Sequence, residues 1–86
     1  MQYRYKTKLV CSKEVRFDLE DNGTIRNISF LGGCDGNLQG IASLAEGMNA
    51  DEVVKRMKGI KCGWKKTSCP DQLANAIEEA QKNIQL

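Results

Sequence analysis

The sequence predicts an α+β domain: a three-stranded antiparallel meander followed by three helices packed on one face of the sheet. Three observations carry this. Val15, Phe17 and Leu19 alternate with charged residues, which marks a strand with one buried face. Asp21-Asn22-Gly23 follows at once, and asparagine and glycine suit the tight turn of a hairpin. Beyond the glycine-rich stretch at 32–36 the apolar spacing changes, with Leu38, Ile41, Ala42 and Ala45 falling on one side of a helix.

The elements follow in order. Residues 3–10, YRYKTKLV, combine aromatic and β-branched types and read as the first strand. Cys11-Ser12-Lys13 turns the chain into the second strand. Ile28 and Phe30 continue the alternation in a third strand over residues 24–31. Gly47 is the expected C-cap of the first helix. Asn49 caps a second helix, with Glu52 three residues on as the partner of a capping box. Val53, Val54 and Met57 form its apolar stripe, and Gly59 closes it. A loop over residues 60–67 leads to the third helix, where Ser68 is the N-cap and Cys69 the first helical residue. Asp71 stands where a capping box needs it, and Pro70 suits a first turn whose N–H groups are unpaired anyway. Leu73, Ala74, Ile77, Ala80 and Ile84 line that helix.

Eighty-six residues form one domain, 1–86, with a core small enough that an extra staple is common. The chain is 41% hydrophobic and 28% charged, the balance of a globular protein. A net charge of +2 is too small to argue for nucleic acid by itself. No apolar run approaches the roughly 20 residues of a membrane span. The opening Met1-Gln-Tyr-Arg-Tyr-Lys reads as a strand rather than a leader, so the expectation is a cytoplasmic protein.

The four cysteines carry the chemistry. Cys11, Cys34, Cys62 and Cys69 are even in number, and in a reducing compartment they argue for thiols, a metal or a cluster. None is spaced C-x-x-C. The chain has no histidine, which excludes an imidazole base and restricts any metal site to thiolates, carboxylates or water. Chain direction then gathers them. If the first strand runs up, the turn at Cys11, the end of the third strand at Cys34, the loop at Cys62 and the start of the last helix at Cys69 all fall at the top. A helix N-terminus has free N–H groups and partial positive charge, which favour a thiolate there. Four thiolates suit tetrahedral zinc; three with an open or carboxylate position suit an iron–sulfur cluster. Asp35 and Asp71 are the carboxylates nearby. Small buried cysteines are the plain alternative, and both readings stand at this point.

Gly32, Gly33 and Asp35 form a turn that is able to cradle an anion such as a nucleotide phosphate on backbone N–H groups. A strand-to-helix turn also needs glycine for its backbone angles alone, and the full phosphate-loop pattern is absent. Six basic residues lie between Lys55 and Lys66, and Trp64, beside Lys65 and Lys66, offers a ring on which a base would stack. A solvated helix face is the plainer reading of that run.

The stretch GIKCGWKKTSCPDQLANAI resembles the small family named for its Thr-Ser-Cys-Pro-Asp motif, here residues 67–71. The same domain is similar to one near the C-terminus of adenosylcobalamin-dependent ribonucleotide reductases, whose strand opening is comparable to YKTKLVCS. The resemblance implies an accessory or regulatory role associated with ribonucleotide reductase and DNA synthesis, with metal or nucleotide as ligand. It does not imply stand-alone reductase activity, which needs a large barrel with radical-bearing cysteines. A looser similarity is to iron–sulfur scaffold proteins, which also pair a glycine–cysteine turn with a cysteine before the last helix. Gly33-Cys34 and Ser68-Cys69 match that arrangement, but the histidine those scaffolds place beside the last cysteine is missing. The expected function is thus a reductase-associated module binding zinc through Cys11, Cys34, Cys62 and Cys69. An iron–sulfur carrier or a nucleotide-binding module is the alternative. A reductase, a nucleotide and a second copy of the chain are the expected partners.

Overall fold

A computed structural model describes residues 2–8, 10, 12–32 and 35–84, with only the backbone of Asp35 and Ile84. Strands β1 (Gln2–Lys6), β2 (Ser12–Leu19) and β3 (Ile25–Gly32) form one antiparallel sheet in the order β1-β2-β3. Helices α1 (Asp35–Ala45), α2 (Ala50–Met57) and α3 (Cys69–Ile84) follow. The α+β meander-plus-helices architecture is therefore as the alternation predicts.

The inward face of the sheet is set by register. Tyr3 pairs with Phe17 and Tyr5 with Val15, so the odd residues of β1 and β2 share one face. The Tyr3 and Phe17 rings stack at 5.8 Å between centroids. Val15, Phe17 and Leu19 are buried there together with Ile25 and Ile28 of β3. Ile25 and Ile28 are three apart, so a regular strand would send them to opposite faces. The register shift between Arg16/Asp18 on β2 resolves this, because one extra β3 residue is accommodated there. Asn27 lies in that bulge at φ 55°, a left-handed conformation that asparagine tolerates better than most side chains. Its Nδ2 donates to Asp18 Oδ2 at 2.7 Å, and its N–H donates to Glu46 Oε2 at 3.1 Å.

β1 is shorter than residues 3–10. Lys8 leaves the ladder because its N–H donates to Gln72 Oε1 at 3.0 Å, a partner on α3. The hairpin between β2 and β3 closes with Gly23 N–H on Glu20 O at 2.9 Å, and Gly23 has φ 88°. Asn22 contributes through its side chain, accepting the Thr24 N–H at 3.0 Å. The same turn anchors the connection between α1 and α2. Gly47, at φ 80°, donates to Ile25 O, Ile25 donates to Met48 O, and Ala50 donates to Gly23 O.

α3 lies across β1 and β2, α1 packs beside β3, and α2 packs on α3. Leu73, Ala76, Ile77 and Ala80 form the buried stripe of α3, at the spacing of one helix face. The largest fully buried side chains are Phe17, Ile25, Leu73, Ile77, Val15 and Val53. Each contributes about 1.5–3 kcal/mol by leaving water. Asn49 caps α2, its side chain accepting the Asp51 N–H at 2.9 Å. The expected capping box is absent, because Glu52 instead accepts from Arg56 Nε at 2.7 Å, one turn further along.

Candidate functional site

The Thr67-Ser68-Cys69-Pro70-Asp71 turn ties three parts of the chain together. Ser68 accepts the Asp71 N–H at 3.2 Å and donates to Ile60 O at 2.7 Å, so one hydroxyl both caps α3 and pins the preceding loop. Asp71 does not return to the Ser68 backbone as a capping box requires. Its Oδ1 accepts the Gly59 N–H at 2.7 Å, and its Oδ2 accepts the Thr67 hydroxyl at 2.5 Å. The carboxylate therefore joins the end of α2 to the start of α3. Pro70, the second helical residue, lacks only an N–H that the first turn leaves unpaired.

A chain of side-chain hydrogen bonds runs on from there. Gln72 Nε2 donates to Thr67 Oγ1 at 3.0 Å, and Gln72 Oε1 accepts from Lys8 N–H. Lys8, Gln72, Thr67, Asp71 and Gly59 thus connect the β1–β2 segment to the α2–α3 loop. The loop itself is closed by Cys62 N–H on Thr67 O at 3.2 Å and Lys65 N–H on Cys62 O at 3.0 Å. Thr67, Ser68 and Asp71 are committed to hydrogen bonds that hold the turn, which leaves the Cys69 thiol as the reactive group of the motif. Cys69 is buried, and its sulfur lies 3.2 Å from Ser12 Oγ, a residue itself 3% exposed. Ser12 pairs in register with Gly32, so the ends of β2, β3 and α3 meet at this point.

A groove of about 570 Å³ opens beside them. It is lined by Ser68, Cys69 and Pro70 at the start of α3, by Ile60, Lys61 and Cys62 of the preceding loop, and by α1 from Gly36 to Leu44. Cys62 is exposed on the loop. Two of the four predicted ligands, Cys62 and Cys69, thus share one groove. Cys11, Cys34 and Gly33 lie outside the described residues. Among the described residues near them in the chain, Ser12 touches Cys69 and Gly36 lines the groove. Among the described residues no three Cys, Asp or Glu side chains converge as a metal site would require. Asp71 is occupied by Gly59 and Thr67. Gly32 ends β3 at φ 76°.

Trp64 stands on the loop at 93% exposure, with Lys66 exposed and Lys65 half-buried beside it. The ion pairs of the described residues join Arg16 to Glu14, Arg26 to Glu20, Arg56 to Glu52 and Lys58 to Glu78. Lys61, Lys65 and Lys66 enter none of them.

Ser12, Thr67 and Gln72 escape a reading of sequence alone. Gln72 carried a signal, since it falls on the same helical stripe as Cys69, Leu73 and Ala76, where a polar side chain needs a partner. Ser12 carried none, because its partner is 57 residues away.

Fold and site together define a small α+β domain whose thiol-bearing pole is organised by one Thr-Ser-Cys-Pro-Asp turn. The TSCPD domain family matches residues 1–81 of the chain, and the chain belongs to that family. No curated protein and no solved structure matches it. No described helix is long and apolar enough to cross a membrane.

Proposed function

We propose that this protein is a ribonucleotide-reductase-associated accessory domain that binds zinc through cysteines gathered at one pole, without reductase activity of its own. The reductase context is what the TSCPD family membership is compatible with. One observation supports the metal: Cys62 and Cys69 border the same groove, which Gly36, two residues after Cys34, also lines, while Ser12, the residue after Cys11, touches the Cys69 sulfur.

The donor chemistry fits. Two thiols supply half of a tetrahedral thiolate set, and Cys11 and Cys34 are the candidates for the rest. Zinc held by four thiolates carries a net charge of −2, which Lys61, Lys65 and Lys66 around the loop, in no ion pair among the described residues, would offset. Bound zinc would act as a structural cross-link between the β1–β2 turn, the start of α1 and the α2–α3 loop, a staple suited to so small a core. Ser12 is placed to donate to the Cys69 sulfur and hold its rotamer, as residues behind a ligand commonly do. Elemental analysis of protein purified without oxygen and without a metal-chelating tag tests this. Zinc near one per chain supports it; iron assigns the thiols to a cluster instead, and no metal removes the reading.

A further inference from the structure

We infer that the groove between α1 and the 60–66 loop is a docking site for an acidic peptide segment of a partner protein, anchored by one apolar side chain. The inference goes beyond the metal reading: it rests on the α1 glycines and the apolar rim of the same groove rather than on its thiols, so peptide binding and metal content test the two separately.

The α1 wall is the first observation. Gly36 and Gly40 are four apart, so they share one helix face, and both line the groove. A Cβ at either position would meet nothing within 4 Å. Alanine would therefore fit, and at Gly40, in the helix interior, it is the more stable residue. The bare backbone keeps the groove deep at a cost to the helix, which is what close approach of another chain requires.

The rim is the second observation. Leu44 is 77% exposed and Ile60 44%, and both line the groove, with Trp64 further along the same loop. Large apolar side chains clustered on the rim of an apolar groove are the composition of an anchor pocket.

Charge selects the occupant. Lys61 lines the groove, Lys65 and Lys66 follow on the loop, and none is paired within the described chain. A second copy docking through the same pole would set these lysines against their equivalents, which is repulsive. A nucleic acid would find one exposed ring and few free polar side chains, because the Ser68 hydroxyl is already bonded to Ile60. An acidic segment satisfies the lysines, while its apolar side chain fills the groove.

Selection from a displayed random-peptide library against the full chain tests the inference, with the enriched peptides then titrated by Trp64 fluorescence. The expected peptides carry an aliphatic or aromatic residue flanked by Asp and Glu. Gly40→Leu, which keeps a good helix former at that position, should weaken them at least about tenfold, the loss expected when an anchor pocket is blocked. Replacing Lys61, Lys65 and Lys66 by Glu should do the same, and replacing them by Arg should preserve binding. Enrichment of neutral or basic peptides, no enrichment, or indifference to Gly40→Leu would overturn the proposal. Tighter binding of oligo(dT) than of any peptide would assign the pole to nucleic acid instead. Zinc content reports on the thiols, so each idea has its own readout.

Discussion

The Ser12 hydroxyl and the Cys69 sulfur lie 3.2 Å apart in the core-facing end of the pole, although 57 residues separate them. This contact joins the start of β2 to the start of α3. Ser12→Ala should cost about 0.5–1.5 kcal/mol in urea unfolding, the usual net worth of one buried hydrogen bond. In a Cys69→Ala background the same change should cost much less, since its partner is gone. Additive losses in that cycle would show that the two side chains do not interact.

Asp71 joins the end of α2 to the first turn of α3. Asp71→Ala removes the acceptor for the Gly59 N–H and the Thr67 hydroxyl together. About 1–3 kcal/mol of stability should be lost, with faster amide exchange at Gly59. Glu52 offers a contrast. It lies on the surface, so Glu52→Ala should leave the urea midpoint close to that of the parent.

Two glycines should respond in opposite directions to alanine. Gly40→Ala is expected to stabilise the domain by about 0.5–1 kcal/mol, because a Cβ there meets open space in a helix. Gly47→Ala should destabilise it by more than about 1 kcal/mol, since φ is 80° and Arg26 Nη1 stands 3.3 Å from the new Cβ. Thermal unfolding of the pair distinguishes backbone preference from space.

Asn27 holds the bulge that turns both Ile25 and Ile28 inward. Asn27→Val places a β-branched side chain at φ 55° and removes the hydrogen bond to Asp18, at a cost of about 1–3 kcal/mol. Asn27→Gly should be much milder. Equal losses in the two variants would mean that the conformation at this position is not what matters.

The Glu52 carboxyl is held below the ordinary carboxylate range, first by its hydrogen bond from Arg56 and then by the charge of that guanidinium. A depressed value in the folded state means that the pair contributes above the unfolded carboxylate range. The contribution fades as pH falls through the folded value. An NMR titration of Glu52 should therefore have its midpoint below 4.5, and Arg56→Ala should move it up. No movement would show that Arg56 does not engage Glu52 in solution.

Much of the fold was legible because it rests on local pattern. The alternation through Val15, Phe17 and Leu19, the Asn22-Gly23 turn and the stripe on α3 each have a period or a turn chemistry of their own. What escaped depends on partners distant in sequence. β1 stops early because Gln72 takes the Lys8 N–H, and the bulge at Asn27 depends on how β3 meets β2. Glu52 and Asp71 stand at capping-box positions, yet Arg56 in one case and Gly59 with Thr67 in the other offer better partners. At the pole, chain direction led to an expectation about all four cysteines, of which Cys11 and Cys34 lie outside the described residues; Cys62 and Cys69 line one groove. The roles of Ser12, Thr67 and Gln72 needed the tertiary fold.

Metal content of the full chain, purified without oxygen and without a chelating tag, tests the central claim most directly. The account predicts zinc at about one per chain, lost along with stability in Cys69→Ala, as expected of a structural thiolate site. Protein that is folded, reduced and free of metal, with Cys69→Ala matching it in metal content, would contradict the account.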